Sequence, residues 1–380
     1  MTLPLKNLRL VAVGGGTGLA TLLRGIKTYV RDDDGDEDAG RLDLSSFTAI
    51  VTVSDDAGEA GKLIDAFGIL PPGDIRGCLT ALADEETLLT KLFLHKFTGQ
   101  GAFAGESFGN LFLTALVQMN NNNYLNAIKD ASRVLRVEGT ILPSTPEHVR
   151  LCAALDDGRV MVGEDELNRH VGGRVERVYL AARANGENTG APAEVEPRPM
   201  PGVLEAIAEA DVVILGPGGL YTSIVPNLLV AGVAEAVKES SARTIYIANV
   251  VTQPGKTDDF TLSDHIRILK SYGGFPIDYV LVNSRAISAG VLAKYEQEGY
   301  HQILFDPRES REISAVRFGD RELLVVEGSI IHTADVIAEV EEQVIRREEG
   351  AGDVEVKTVL RHDPEKLAAA LLDVLRAMQT

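Results

Sequence analysis

The feature that constrains this chain most is the repeated coupling of a short apolar run to a glycine or amide turn. Leu8 to Val13 (LRLVAV) runs into Gly14-Gly15-Gly16-Thr17-Gly18, and Leu19, Leu22, Leu23 and Ile26 follow at helical spacing. Phe47 to Val53 ends in Ser54-Asp55-Asp56-Ala57-Gly58, and Asp211 to Leu215 ends in Gly216-Pro217-Gly218-Gly219. Thr244 to Ala248 and Asp278 to Val282 finish in Asn249 and Asn283. Apolar runs this short, with little alternation, read as strands buried on both faces. Strand, glycine turn, helix and strand make a βαβ unit. The expected class is therefore α/β: a three-layer, Rossmann-like fold with a mostly parallel sheet, whose ligand sites lie beyond the carboxyl ends of its strands.

Other patterns interrupt the sheet. From about 73 to 137 the spacing turns helical, which predicts a helical insertion, with the Asn120 to Asn123 run marking a helix end and turn. Thr140 to Leu155, Arg159 to Gly163 and Arg174 to Leu180 are β-prone, and Asp156-Asp157-Gly158 between two of them predicts a short antiparallel piece. Residues from about 182 to 201, rich in Asn, Gly, Glu and Pro, read as an exposed linker. A helix is expected around Ala334 to Arg347, then a strand and a helix over about 354–378. All 380 residues are assigned to one α/β domain carrying these insertions.

Charge narrows the partners. The chain holds 37 Lys plus Arg against 56 Asp plus Glu, a formal charge of −19, which argues against nucleic acid as a partner. No apolar run approaches the roughly 18 residues that span a bilayer, and the first residues lack a signal-peptide core, so a cytoplasmic location is expected. Six acids between Asp32 and Asp38 read as a solvated loop. Cys78 and Cys152 offer no metal or disulfide spacing and read as buried thiols, and the seven histidines show no metal spacing.

The glycine turns carry the chemistry. Gly14 to Gly18 follows a strand and opens a helix, so backbone N–H groups and the helix dipole can meet an anion. The sequence is neither a complete dinucleotide fingerprint nor a Walker loop, and close helix–strand packing is the alternative reading. Gly216 to Thr222 repeats the arrangement. Asp55 and Asp56, at a strand end, suit a ribose hydroxyl or a divalent cation, or else a helix cap. Asp74 can cap the helix that follows Pro71-Pro72-Gly73, and Arg76 can meet a phosphate or an acid. Ser107 between Gly105 and Gly109 fits the spacing of a nucleophile elbow but lacks a preceding strand, and is read as a helix start.

Together, GGGTG at 14–18, TAIVTVSDDAG at 48–58, LPPGDIRGCLTALAD at 70–84, GESFGNLFL at 105–113, GPGGLYTSIVPNLLV at 216–230, NVVTQPGKTDDF at 249–260 and RHDPEKLA at 361–368 resemble the CofD-like superfamily, within it the gluconeogenesis-factor (YvcK-like) branch. The resemblance runs from about Leu8 to Leu375. It implies a bacterial cytoplasmic protein that binds a nucleotide sugar of the UDP-N-acetylglucosamine type and acts in cell-wall precursor supply and cell shape during gluconeogenic growth. An enzyme of cell-wall or amino-sugar metabolism as partner, and a homo-oligomer, are the accompanying expectations. The other branch implies an alternative, a Mg-dependent transferase of the 2-phospho-L-lactate type acting on a nucleoside-diphosphate-linked donor.

Carried over by position, Gly14, Gly15, Gly16, Thr17, Gly18, Asp74, Asn110, Gly216, Gly218, Gly219, Leu220, Tyr221, Thr222, Asn249, Thr252 and Gln253 are expected at the nucleotide site. Tyr295 and Arg361 are associated by resemblance with the UDP-sugar, and Asp55 and Asp56 with the metal. No catalytic residue and no firm cofactor are assigned. The chain departs from the family pattern at Ala57, Glu59, Ala60, Gly77, Glu106, Gly219, Lys256 and Asp259. Lost hydroxyls and a lost histidine at these positions favour a binding protein over a catalyst.

Overall fold

The computed structural model describes residues 5–29, 42–54, 60–83, 87–99, 103–169, 172–183, 192–306, 313–318, 321–346 and 353–378. The acidic run at 32–38 and the pair Asp55 and Asp56 lie outside the described residues.

The first βαβ unit forms as the sequence dictates. Strand β1 (Leu10–Gly14), buried at every position, leads through α1 (Gly16–Thr28) to β2 (Phe47–Val51). The two strands are parallel, with Leu10 opposite Phe47 and Gly14 opposite Val51. Helix α2 (Ala60–Phe67) precedes the range expected to be a helical insertion, which holds α3 (Pro72–Leu82), α4 (Leu88–Leu94), α5 (Phe108–Met119) and α6 (Tyr124–Leu135). Ser107 caps α5 by accepting from the Asn110 N–H, and Asn123 caps α6 after Asn121 and Asn122 turn through positive φ. Such side-chain caps satisfy N–H groups that have no partner inside the helix.

Strand β3 (Thr140–Pro143) joins β2 in parallel. The chain then leaves the main sheet: β4 (Val149–Leu155), β5 (Val160–Val162), α7 (Glu164–Arg169) and β6 (Val175–Ala182) build a three-stranded antiparallel sheet in the order β5-β4-β6. It returns through α8 (Val203–Glu209), β7 (Val212–Leu215), α9 (Val225–Leu228), α10 (Val233–Glu239), β8 (Arg243–Ile247), α11 (Leu262–Gly273), β9 (Tyr279–Asn283) and α12 (Ala289–Gln297). The last elements are β10 (Ile313–Phe318), β11 (Arg321–Val326), β12 (Ser329–Ala334), β13 (Ile337–Arg346), β14 (Asp353–His362) and α13 (Pro364–Ala377).

The main sheet runs β10-β11-β12-β9-β8-β7-β1-β2-β3. It is parallel from β12 to β3, with an antiparallel edge at β10 and β11. From β1 the order grows one way through β2 and β3, and from β7 the other way through β8 and β9. The boundary between β1 and β7 is thus the switch point at which open α/β sheets hold ligands. One helical layer packs α1 between α3 and α13, and another joins α8, α10 and α11. Gly25 of α1 lies so close to the Pro364 carbonyl that no side chain fits there.

Two expectations are corrected. Where a helix is expected over about 334–347, Ile337–Arg346 form strand: β13 pairs antiparallel with β14, Ile337 opposite His362 and Arg346 opposite Asp353. Glu339, Glu341 and Glu342 favour a helix over a strand by intrinsic preference, but partnering β14 decides the conformation. Part of the expected exposed linker is also integrated. Val195 bonds to Leu180, Met200 bonds to Ser144, and Pro197 and Met200 are buried. Among the described residues, no single helix is long and apolar enough to cross a membrane.

Candidate phosphate and nucleotide site

The two glycine loops meet at the switch point. Gly18 packs on Pro217 so tightly that a methyl group there would lie 2.5 Å from the Pro217 carbonyl oxygen. Gly16 and Gly216 adopt φ of +62° and +85°, conformations open to glycine and strained for other residues. Asn227, fully buried, donates from Nδ2 to the Gly14 carbonyl at 3.2 Å and to the Ser223 carbonyl at 2.8 Å. Asn249 donates to the Gly218 carbonyl at 2.8 Å and accepts from the Tyr246 hydroxyl at 3.0 Å. Each loop is therefore held by an amide rooted in the sheet or in the next helix.

The first turn of α1 aims its N–H groups out of this junction, where the positive end of the helix dipole favours an anion. Asp74 takes one of them, its Oδ2 accepting from the Gly16 N–H at 2.6 Å. The expected capping of α3 by Asp74 is corrected here: Asp74 stands in the first turn of α3, after the N-cap Pro71, and reaches across to α1. The N–H groups of Thr17 and Gly18 have no partner among the described residues and could meet an anion, with Thr17 exposed.

Side chains outside the expected set join the site. Ser223 stands within reach of Gly15, Gly16 and Gly218, so its hydroxyl borders both loops. Thr52 crowds Gly15 and bonds its hydroxyl to that of Ser54 at 3.0 Å. The signal for Ser223 was the serine that ends GPGGLYTS.

Other expected residues serve differently. The side chains of Leu220, Tyr221 and Thr222 are buried, and burial pushes the Tyr221 phenol well above its ordinary range. This segment can offer a ligand its backbone. Gln253 lies beside Gly219, its Oε1 buried without a partner among the described residues. Thr252 exchanges hydrogen bonds with His301, which lays residues 299–303 along the 250–254 loop.

That contact brings α12 to the rim. The Tyr295 hydroxyl accepts from the Leu360 N–H at 2.7 Å, and its ring meets Tyr300 edge-on at 5.4 Å. Arg361, next along β14, is exposed. The Tyr295 hydroxyl is thus bonded to the residue that precedes Arg361 on β14. Lys256 is held below this rim, where Nζ donates to Asn168 of α7 and burial lowers its basicity against the opposing effect of Glu164.

On the α3 side, Arg76, Glu106 and Asn110 gather next to Asp74. Glu106 Oε1 accepts from Asn110 Nδ2 at 2.8 Å and from the Ser107 N–H at 3.1 Å. Burial holds the Arg76 guanidinium below its usual basicity, while Glu106 and Asp74 act the other way. Among the described residues no cluster of three or more His, Cys, Asp or Glu side chains is arranged to hold a metal ion.

Residues 10–324 match the family model described as 2-phospho-L-lactate transferase CofD. The chain belongs to the CofD family. Within it, the chain is 36% identical over 369 residues to the gluconeogenesis factor of Bacillus subtilis, covering 97% of this chain and 98% of that one. It is 37% identical over 336 residues to the gluconeogenesis factor of Halalkalibacterium halodurans, covering 88% and 96%. A crystal structure from Bacillus halodurans superposes with a TM-score of 0.77 at 34% identity, covering 97% of this chain and all of that one.

Proposed function

We propose that the chain is a cytoplasmic nucleotide-sugar-binding regulatory protein whose ligand is of the UDP-N-acetylglucosamine type. In this reading it acts, as a gluconeogenesis factor, in cell-wall precursor supply and cell shape. The observation that carries it is the contact between two glycine loops at the β1/β7 switch point, with α1 opening onto the junction. Backbone N–H groups there suit a diphosphate. The Tyr295 ring offers an apolar face to a uracil and Arg361 a guanidinium to phosphate. A homo-oligomer and an enzyme of cell-wall or amino-sugar metabolism are the proposed partners, and the whole chain is proposed to act as one domain.

The test is calorimetry of UDP-N-acetylglucosamine, UDP, GDP and NAD, with and without Mg²⁺. Saturable, metal-indifferent binding of the UDP-sugar, weakened by Tyr295→Ala and Arg361→Ala in folded protein, is expected. A preference for GDP with obligatory Mg²⁺ would instead support the transferase reading favoured by the family description. In that case Asp55 and Asp56 are the proposed metal ligands, and Mg²⁺ would neutralise diphosphate charge.

A further inference from the structure

The polar groups beside the glycine loops divide into two sets. Those of α1, Ser223 and Asn249 surround or brace the loops, whereas Arg76, Glu106 and Asn110 form a separate cluster where α3 meets the start of α5. Arg76 lies against Gly109, and Asp74 ties this cluster to the Gly16 N–H. Glu106 and Asn110 are each only 6% exposed. Glu106 fixes the amide of Asn110 by accepting from its Nδ2, which leaves Asn110 Oδ1 buried and without a partner among the described residues. Arg76 Nε is likewise buried and unpartnered. A buried acceptor and a buried donor left unmatched are costly in an empty protein, and a ligand that pairs with them recovers that cost.

We propose that Arg76, Glu106 and Asn110 form the head-group subsite of the nucleotide-sugar site, and that Glu106 makes it select an uncharged sugar over one bearing a carboxylate or phosphate. The inference rests on the nucleotide-sugar reading and deepens it. Sugar hydroxyls can donate to Asn110 Oδ1 and accept from Arg76 Nε–H. The charges set the selectivity. Among the described residues Arg76 faces two carboxylates, Asp74 and Glu106, and these three groups sum to one negative charge. Ser107 adds only a hydroxyl, already committed to capping α5. An anionic head group meets like charge in a partly dry site, where repulsion is stronger than in water.

UDP-glucose and UDP-glucuronate test this, since they differ only in a hydroxymethyl group against a carboxylate. Calorimetry at one ionic strength should show wild type preferring UDP-glucose by at least tenfold. Glu106→Gln keeps the acceptor that holds Asn110 and removes the charge, so the preference should fall to about twofold or less. Arg76→Gln removes the cation and leaves both carboxylates, so the preference should widen. Opposite shifts in the two variants separate charge selection from general damage, and either variant alone carries the test if the other does not fold. An unchanged ratio in a folded variant, or a wild type that binds UDP without discriminating the two sugars, overturns the subsite while leaving the nucleotide reading in place. Failure of wild type to bind UDP or either sugar overturns both.

Discussion

Gly18→Ala is the substitution on which the site geometry bears most directly. A methyl group at Gly18 would lie 2.5 Å from the Pro217 oxygen, 2.7 Å from its carbonyl carbon and 3.0 Å from the Gly218 nitrogen. Comfortable non-bonded contacts lie at about 3.5–4.0 Å. The obstacle is backbone, so the two loops must separate by about 1 Å. Overpacking of this kind costs about 1–3 kcal/mol, against which alanine returns up to about 1 kcal/mol of helix propensity. The net expectation is a loss of about 1–2 kcal/mol in urea unfolding. UDP-sugar affinity should fall at least tenfold, because the α1 and Gly218 groups no longer converge. Gly77→Ala is the control: in the interior of α3 its nearest neighbour would be the Ala20 methyl at 3.8 Å, so it should gain about 0.5–1 kcal/mol. If Gly18→Ala matches Gly77→Ala in stability and binds ligand as wild type does, the loops are not in the contact described.

Asp74→Ala removes the charge-assisted bond to Gly16 and should cost about 1.5–3 kcal/mol of stability, read by urea melts. Leu371, fully buried on α13, should cost about 2–5 kcal/mol on truncation to Ala by the same assay. His362 sets a pH dependence. Its Nε2 is buried with no partner among the described residues, and burial, opposed by a bond to the Ala248 backbone, lowers its pKa from 6.5 to about 4. The folded chain thus resists a proton that the unfolded chain accepts. This contribution is whole above pH 6.5 and is lost as pH falls from there to about 4, by up to about 3 kcal/mol. Stability curves of wild type and His362→Gln should converge across that window. Parallel curves would assign the acid sensitivity elsewhere, for instance to His265, whose pKa burial also lowers. Finally, raising salt should speed association of a UDP-sugar with a chain of charge −19, the reverse of electrostatic steering.

The parallel core was legible because its strands are buried on both faces and end in glycine or amide, a pattern set by covalent structure and local geometry. The loops of β1 and β7 could be found for the same reason. Their mutual contact could not, since nothing in residues 14–18 announces that Pro217 lies against Gly18. Ser223 and Asn227 escaped notice because their roles exist only once the two loops are side by side. Strand β13 is not legible in its own residues, because Glu339, Glu341 and Glu342 favour a helix and its partner β14 comes only from 353 onward. Tyr221 read as a site residue from its motif, yet its side chain fills the core. A motif fixes the path of the backbone more firmly than the direction of each side chain.

For the anionic ligand proposed above, the chain's acidity and its glycine loops pull in opposite directions. A field set by −19 charges repels a diphosphate at long range. Within hydrogen-bond distance the balance changes, because helix N-terminal N–H groups are fixed dipoles whose orientation is already set by folding. Amides from Asn227 and Asn249 brace these loops without adding charge. Arg76, which would attract any anion if free, instead faces Asp74 and Glu106. In the proposed site, affinity would come from many short, directed donors rather than from a few cations. A ligand is then chosen by where its acceptors and hydroxyls fall, and an ion of the right charge but the wrong shape has nothing to hold it.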